Sequence, residues 1–317
     1  MVILTGPTAV GKTALSIGLA KAIGGEIISA DSMQVYEYMD IGSAKIRKEE
    51  MDGIPHHLID VLRPWDSFNV VVFQKLCKEA LTGIYERRHI PIVTGGTGFY
   101  IQALLRDVDF TENEESSEFR RKLEKFAREN GAAALHERLL QVDPASAESI
   151  HANNIKRTIR ALEFYHLTGQ RISEHNEEQR ERERAYRSCY FVLNDDRDIL
   201  YQRIEKRVDE MMEQGLLEEV RRLKEMGCTR DMVSMQGLGY KELLAYLEGE
   251  CSLEEAVAKI KLSTRHFAKR QLTWFRREKD VIWIHKPDFQ YREDKILEYM
   301  LEVLKREKVI GVKWVYE

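Results

Sequence analysis

Three short apolar runs in the first hundred residues each end in small or polar residues. They read VIL before Thr-Gly, EIIS before Ala-Asp, and IPIV before Thr-Gly-Gly. Such runs are typical of buried strands, and apolar residues at helical spacing occupy residues 12–23 and 67–88 between them. Because strands alternate with helices, the pattern predicts an α/β fold with a doubly wound parallel sheet. Ligands of such sheets gather where the strands end.

The periodicity changes after Asp109. From there to about Arg187 the chain is charged and helix-patterned without a convincing strand, whereas CYFVL (189–193) and VIWIH (281–285) again read as strands. We therefore expect a core domain made of residues 1–113 and 188–317, interrupted by a helical insertion domain at 114–187.

The composition is that of a globular protein, with 317 residues, of which 43% are hydrophobic and 32% charged. No apolar stretch approaches the roughly 18 residues of a membrane span, and no leader is recognisable before the first strand. We expect a cytoplasmic monomer that does not enter a membrane.

The four cysteines lie far apart, and His56 and His57 have no third ligand nearby. Packing or hydrogen bonding is therefore the expected role of these residues, rather than zinc or disulfide formation.

The net charge of −4 argues against non-specific coating of nucleic acid. Two local basic stripes nevertheless stand out at helical spacing. One lies in RHFAKRQLTWFRR and comprises Arg265, Lys269 and Arg276; the other lies in NNIKRTIRALEF and comprises Lys156, Arg157 and Arg160. A solvated helix face explains either stripe equally well.

The segment GPTAVGKT, directly after the first predicted strand, matches the phosphate-binding P-loop pattern. Gly6 and Gly11 allow successive backbone N–H groups to point at an anion, Lys12 adds a positive charge, and Thr13 is placed to bind Mg²⁺. The pattern predicts a phosphate site, without specifying ATP. The predicted diphosphate-binding residues are Gly6, Pro7, Thr8, Ala9, Val10, Gly11, Lys12 and Thr13.

The third predicted strand ends in Thr94-Gly-Gly-Thr97 rather than in the carboxylate that a nucleotide hydrolase uses to hold magnesium. The available acid is Asp31, at the end of the second strand, where it could act as a general base. A small-molecule kinase could use an acid in the same place, and Asp31 could instead cap a helix. A non-enzymatic RNA-binding ATP switch is a further alternative.

Several segments, taken in order, resemble the isopentenyl-tRNA transferase family, the bacterial tRNA dimethylallyltransferases. They are GPTAVGKT, ISADSMQVYEYMDIGSAK, PHHLIDV, VTGGTGFY, NNIKRTIRALE, LYQRIEKRVDEMMEQGLLEEV, QGLGYKEL and RHFAKRQLTWFR. The resemblance implies transfer of a dimethylallyl group from its diphosphate to N6 of the adenosine 3′ of the tRNA anticodon, with release of pyrophosphate. The phosphate loop would then hold the diphosphate of a prenyl donor.

The resemblance also implies residue roles. Asp31 would accept the proton of the adenine amine, Thr8 would orient base and donor, and Arg207 would stabilise the leaving diphosphate. Arg203 lies four residues before Arg207, so we expect it to point to the phosphates as well, with an intrahelical pair or a solvated face as the alternative.

For tRNA, the family match implies that the flipped base is surrounded by Asp31, Ser32, Met33, Gln34, Thr97, Gln236, Gly237, Leu238, Gly239, Tyr240 and Lys241. In the insertion, Arg120, Lys156, Arg157 and Arg160 would bind the backbone of the anticodon stem-loop. Lys156 or Arg160 could instead pair with Glu163 and hold the insertion together.

Overall fold

The computed structural model of the protein describes residues 1–110 and 118–310. The chain divides into two units, one formed by Met1–Leu104 with Tyr186–Glu317 and the other by Leu105–Ala185. The second unit thus begins at Leu105, earlier than residue 114, and the predicted boundary itself lies outside the described residues.

The first unit is built on a parallel sheet. In the described residues its six strands have the order β3-β2-β4-β1-β5-β6. The strands are β1 (Val2–Thr5), β2 (Gly25–Ser29), β3 (His56–His57), β4 (Ile90–Gly95), β5 (Cys189–Asn194) and β6 (Ile282–His285). This arrangement confirms the predicted α/β fold. The sequence missed β3, because an edge strand of two half-buried histidines has no apolar pattern.

Helices follow the strands as the pattern predicts. They are α1 (Lys12–Ile23), α2 (Val70–Glu86), α3 (Gly98–Leu105), α8 (Arg197–Glu213), α9 (Leu216–Glu225), α10 (Tyr240–Leu247), α11 (Leu253–Phe275) and α12 (Glu293–Arg306). The helix starts have local causes. Asn69 accepts hydrogen bonds from the Val71 and Val72 N–H groups at the start of α2, and Ser252 caps α11 in a capping box with Glu255.

The core of this unit forms between the sheet and its helices. Leu15 and Leu19 of α1 and Met300 of α12 are buried with Leu4 and Phe191 of the central strands. Each such side chain contributes about 1.5–3 kcal/mol by leaving water. This packing holds rigid the strand ends from which the loops of the candidate site extend.

The second unit is helical. Its helices are α4 (Glu118–Val142), which is kinked at Gly131, α5 (Pro144–Ser149), α6 (Ile155–Thr168) and α7 (Ile172–Glu181). Leu123, Leu135 and Leu139 of α4 pack with Ile159 of α6 in a small apolar core. Asp143 caps α5 by accepting hydrogen bonds from the backbone and side chain of Ser146.

Candidate active site

The phosphate loop connects β1 to α1. Gly11 immediately precedes α1 with φ 95° and ψ 30°, a left-handed conformation that glycine adopts without strain. The Lys12 ammonium donates to the carbonyl oxygens of Gly6 and Pro7, at 3.0 and 2.8 Å. Burial lowers the pKa of Lys12 to about 8, an effect that Asp31 partly offsets and Arg207 reinforces. The charge of Lys12 is therefore incompletely compensated, which favours an anion.

A second lysine, Lys286, supports the loop from behind. Its side chain is buried, and its ammonium donates to the Val10 carbonyl at 3.3 Å. A Cβ atom on Gly11 would lie 3.0 Å from the Lys286 Nζ. The loop is therefore fixed by two lysines. No sequence pattern pointed to Lys286, which follows β6 far from the P-loop pattern.

Asp31 lies two residues after the end of β2 and follows the buried Ala30. One carboxylate oxygen, Oδ1, accepts hydrogen bonds from the Met33 N–H at 2.8 Å and the Gln34 N–H at 3.4 Å. Within the described part of the chain the other oxygen accepts none. Asp31 thus stabilises a turn rather than capping a helix, the alternative considered from the sequence, and still presents a free oxygen to the cavity. The two roles are compatible because they use different oxygens.

Arg207 and Arg203 lie on α8 and both line the cavity with Asp31. Burial lowers the pKa of Arg207, and attraction to Asp31 and then Glu210 opposes this effect. Arg203 donates to Asp195 at 2.6 Å, and the Asp195 side chain is fully buried. Arg203 is therefore held in place by Asp195, which lies outside α8 and is not the intrahelical partner considered from the sequence. Arg207, by contrast, is the arginine whose charge interacts with that of Asp31.

A cavity of about 800 Å³ joins these elements. Most of the residues assigned from the sequence to this domain line it: Thr8, Ala9, Gly11, Lys12, Thr13, Asp31, Ser32, Met33, Gln34, Thr97, Arg203, Arg207, Gln236, Gly237, Leu238, Gly239 and Lys241. Gly6, Pro7 and Val10 do not line it. The Gly6 and Pro7 carbonyls bind Lys12 instead, and the Val10 side chain is buried in the core.

Tyr240 is a correction to the sequence-based assignment. Its side chain is fully buried, and its hydroxyl donates to Glu219 at 2.8 Å. It therefore does not present its ring to an RNA base. Glu219 also accepts hydrogen bonds from the backbone N–H groups of Asp40, Ile41 and Gly42. Together, Glu219 and Tyr240 hold the loop that carries Gly42 to the cavity wall.

Gln271 of α11 is a site residue that the sequence did not identify. Its side chain is 5% exposed, its Oε1 accepts from the Thr8 N–H at 2.9 Å, and its Nε2 donates to the Gly96 carbonyl at 3.0 Å. A glutamine on the buried face of an otherwise basic helix was the only available signal. Gln271 thus couples the phosphate loop to the end of β4.

The end of β4 offers hydroxyls and no acid, as predicted. The Thr94 hydroxyl is buried and has no hydrogen-bond partner among the described residues, although Thr94 lines the cavity. A buried, unsatisfied hydroxyl is costly and is well placed to bind a substrate. No cluster of three or more His, Cys, Asp or Glu suited to a metal occurs in residues 1–110 and 118–310.

In the helical unit, Arg120 is also a correction. It forms a two-point ion pair with Glu163, Nε to Oε1 at 3.2 Å and Nη2 to Oε2 at 2.6 Å, and the Glu163 side chain is 1% exposed. Arg120 is thus an ion-pair partner of Glu163 that the sequence did not suggest. Its guanidinium is committed to holding α4 on α6 instead of being available to RNA. Burial lowers the pKa of Arg160, and Glu163 opposes this.

Lys156 and Arg157 are exposed and make no ion pair in the described residues.

At the sheet edge, His57 binds the Glu26 carboxylate at 2.6 Å, so its hydrogen-bonding role is observed. None of the described helices is both long and apolar enough to cross a membrane.

The sequence matches the family model described as IPP transferase over residues 34–278 and the one described as Isopentenyl transferase over residues 1–66. It is 60% identical to the tRNA dimethylallyltransferase of Lachnoclostridium phytofermentans, over 98% of this chain and 99% of that protein. It is 51% identical to the tRNA dimethylallyltransferase of Bacillus cereus, over 94% and 93% of the two chains.

Solved structures of tRNA-modifying transferases are also similar to this chain. The full-length tRNA isopentenylpyrophosphate transferase of Bacillus halodurans is 43% identical with a TM-score of 0.72, covering 97% of each chain. A eukaryotic dimethylallyltransferase, solved acting on tRNA, is 29% identical with a TM-score of 0.82, covering 99% of this chain and 81% of that one. Fold and site define a P-loop α/β protein built around an anion cradle and a facing carboxylate. The chain belongs to the IPP transferase family, which confirms the resemblance drawn from its sequence.

Proposed function

We propose that the protein transfers a dimethylallyl group from dimethylallyl diphosphate to N6 of the adenosine immediately 3′ of the anticodon in tRNA, releasing pyrophosphate. Its relatives are tRNA prenyltransferases, and prenyl transfer to tRNA is the activity of this family. The observation that carries the specific assignment is the free oxygen of Asp31, which shares a cavity with Lys12 and Arg207.

The chemistry requires a proton acceptor opposite an anion site. The adenine amine attacks C1 of the dimethylallyl group, the C1–O bond breaks, and the bonding electrons leave with pyrophosphate. The N6 lone pair is delocalised into the ring, so a base must accept the N6 proton as the N–C bond forms. Asp31 accepts it through the oxygen that its turn does not use. Thr8, at the cavity wall, orients donor and base.

Leaving-group stabilisation falls to the cations. Negative charge grows on the diphosphate as the C1–O bond breaks, and Lys12, Arg207 and the backbone N–H groups of the phosphate loop would neutralise it. Arg203, held by Asp195, adds a further fixed charge on the same helix. The unsatisfied Thr94 hydroxyl supplies a hydrogen bond to substrate within the same cavity.

We also propose that Mg²⁺ accompanies the diphosphate. Thr13 is exposed and lines the cavity, and Mg²⁺ is usually held by few protein ligands together with waters and substrate phosphates. The residues present therefore fit a magnesium ion held mainly by the diphosphate, with Thr13 as its protein ligand. When bound, the ion would neutralise charge on the leaving group. A Mg²⁺ dependence of donor binding, abolished in Thr13→Val, tests this assignment without measuring turnover.

We further propose that dimethylallyl diphosphate is the donor, that the protein is a monomer and that it is located in the cytoplasm. The test is incubation with labelled dimethylallyl diphosphate and bulk tRNA, followed by nucleoside analysis. Label on N6 of adenosine is expected. ATP consumption without RNA would instead indicate a small-molecule kinase, and slow hydrolysis coupled to RNA release would indicate an ATP switch. Sedimentation of the free protein measures its oligomeric state.

A further inference from the structure

Lys286 lies behind the phosphate loop and reaches it from the far end of the chain. It directly follows β6, and because β1, β5 and β6 are parallel neighbours, the end of β6 lies at the same edge of the sheet as the end of β1. The side chain is 6% exposed, and Lys286 is not among the residues that line the active-site cavity. Its effect on a bound ligand must therefore pass through the loop.

The ammonium of Lys286 carries a charge that no acid offsets by direct contact. Its Nζ donates to the Val10 carbonyl at 3.3 Å, and it forms an ion pair with no carboxylate in the part of the chain that the structure describes. Burial lowers the pKa of Lys286, Arg203 reinforces this effect, and attraction to Glu293 and Asp195 opposes it. A buried charge without a partner is costly, so this cation requires an explanation.

Asp195, the buried acid that follows β5, is already engaged by other groups. Its carboxylate accepts hydrogen bonds from Arg203 at 2.6 Å and from the Tyr291 hydroxyl at 3.2 Å. The Arg203 guanidinium also lies 5.6 Å from the centre of the Tyr291 ring. Glu293 is exposed, so water screens its charge. Lys286 and Arg203 thus share the field of one buried carboxylate, which leaves positive charge beside the phosphate loop.

The hydrogen bond to Val10 places the ammonium on the peptide unit that joins Val10 to Gly11. A cation at a carbonyl oxygen polarises this unit, so that its N–H becomes a stronger donor. Gly11 lines the cavity and directly precedes α1, and the first N–H groups of a helix are those that bind anions. A Cβ atom on Gly11 would lie 3.0 Å from the Lys286 Nζ, so the ammonium is close to the loop at this residue. Lys286 therefore strengthens the anion site from the side opposite the ligand.

A hydrogen bond to Val10 alone does not account for a lysine at this position. A neutral donor would satisfy the carbonyl at a smaller cost of desolvation than an ammonium. The charge is unfavourable in the free protein, but an anion bound in front of the loop would offset it.

We propose that Lys286 is a positioning residue for the diphosphate, and that its buried charge makes the phosphate loop select a diphosphate over a single phosphate. This inference rests on the proposed function. Lys286 acts by fixing and polarising the Val10–Gly11 peptide, without touching the ligand. Because electrostatic attraction grows with the charge of the ligand, a diphosphate gains more from this cation than a monophosphate does.

The test measures binding of inorganic pyrophosphate to the full-length protein by calorimetry at pH 7 and constant Mg²⁺, and binding of inorganic phosphate by its displacement of pyrophosphate. Lys286→Met removes the charge at similar side-chain length. The Kd for pyrophosphate should rise on the order of tenfold and that for phosphate about threefold or less, because attraction scales with ligand charge. In transfer assays the KM for dimethylallyl diphosphate should rise, whereas the KM for tRNA should stay unchanged.

Lys45→Met is the matched control. The Lys45 side chain is 4% exposed, but its ammonium is paired with Asp40 and Asp60. This variant should lower the melting temperature and leave the ratio of the two Kd values unchanged. Lys286→Met should do the reverse: the ratio should change, while the melting temperature should not fall as it does in the control, because no ion pair is broken.

Lys286→Gln separates charge from hydrogen bonding, since it keeps a donor for the Val10 carbonyl and removes the charge. It should resemble Lys286→Met. An unchanged ratio of Kd values in Lys286→Met, whether both affinities persist or fall together, would overturn the inference, as would a wild-type ratio in Lys286→Gln. Neither result would affect the proposed function. Conversely, a wild-type protein that binds pyrophosphate with the expected dependence on Lys286 but labels no tRNA would overturn the proposed function alone.

Discussion

The side chain of Gln271 and the backbone of Thr8 are hydrogen bonded, Oε1 to N at 2.9 Å, although 263 positions separate them in the chain. The same amide donates through Nε2 to Gly96 at 3.0 Å. One buried glutamine thus fixes the distance between the phosphate loop and the end of β4. In the proposed reaction these two loops hold the leaving group and the wall of the base site.

Replacing Gln271 with Leu should therefore reduce the rate of transfer. The variant removes both hydrogen bonds at similar volume, and a small misplacement of reacting groups can cost about a hundredfold in rate. Single-turnover transfer at saturating donor and tRNA measures the effect, which should exceed any change in either KM. Gln271→Glu should also be impaired, because its carboxylate would face the Gly96 carbonyl.

The control is Gln74→Leu, which removes another buried amide, one that donates to the Ala103 carbonyl at 3.1 Å. It should lower the melting temperature without a comparable loss of rate. Equal single-turnover rates in Gln271→Leu and wild type would show that Gln271 only stabilises the fold.

Asp31→Asn should nearly abolish transfer. The asparagine keeps an oxygen that can accept from the Met33 N–H, so the turn persists, but it cannot accept the N6 proton. Loss of a general base typically lowers rates about a hundred- to ten-thousandfold. Donor and tRNA affinities should remain within a few-fold, as measured by equilibrium binding. Near-normal single-turnover transfer would remove Asp31 from the mechanism.

Arg207→Ala should act mainly on the chemical step. Burial of this cation beside Asp31 indicates a charge held ready before substrate binds. Removing one preorganised electrostatic donor raises the barrier by on the order of 3 kcal/mol. The comparison with Arg203→Ala is informative, because that arginine is already paired with Asp195. A larger loss of kcat in Arg203→Ala than in Arg207→Ala would contradict the assigned roles.

The sequence predicted those parts of the site that are encoded locally. β1, β2 and β4 contain short apolar runs, and parallel topology necessarily brings the ends of such strands to one edge, so Thr8, Asp31 and Thr97 could be placed together. The left-handed Gly11 is likewise part of a local pattern. These features require no knowledge of which distant residues meet.

The remaining site residues depend on contacts between distant segments. Gln271 and Glu219 acquire their roles only when α11 and α9 pack beside loops from the first hundred residues. A motif such as QGLGYK does not reveal which side chain turns inward, so Tyr240 was assigned to RNA although it is buried. Several cations lay within reach of Glu163 by sequence spacing, and only tertiary packing selects Arg120.

Donor binding should take up protons in mildly alkaline solution. The pKa of Lys12 is lowered to about 8 in the free protein, chiefly by burial. A bound diphosphate favours the charged lysine and raises this pKa, so affinity should be constant below pH 8 and fall as pH rises above it. Phosphate groups with a pKa near 6 are already ionised there. Calorimetry of dimethylallyl diphosphate binding in buffers of different ionisation enthalpy measures the proton uptake.

Lys12→Arg provides the control for this effect, because an arginine remains charged throughout the range. Its donor affinity, even if weaker, should not decline between pH 7.5 and 9. A decline of the same size in both proteins would assign the pH dependence to another group.

In the helical insertion, two variants should distinguish Arg120, a cation that stabilises the fold, from Lys156 and Arg157, which are exposed. Arg120→Ala removes the two-point ion pair from the buried Glu163 carboxylate, and breaking a buried pair in this way typically costs about 3–5 kcal/mol. We expect a lower melting temperature and loss of helical circular dichroism. Arg120→Ala/Glu163→Leu should recover much of that stability, because the double variant removes both charges of the pair.

Lys156→Gln/Arg157→Gln should behave in the opposite way, since both side chains are exposed and make no ion pair in the described residues. Melting should be unchanged, while the KM for tRNA rises and its salt slope flattens by up to about 0.9 per contact on a duplex stem. Turnover at saturating tRNA should change little by comparison, because Asp31 and the phosphate loop belong to the other unit. An intact fold with an unaltered KM and salt slope would exclude these two residues from tRNA binding.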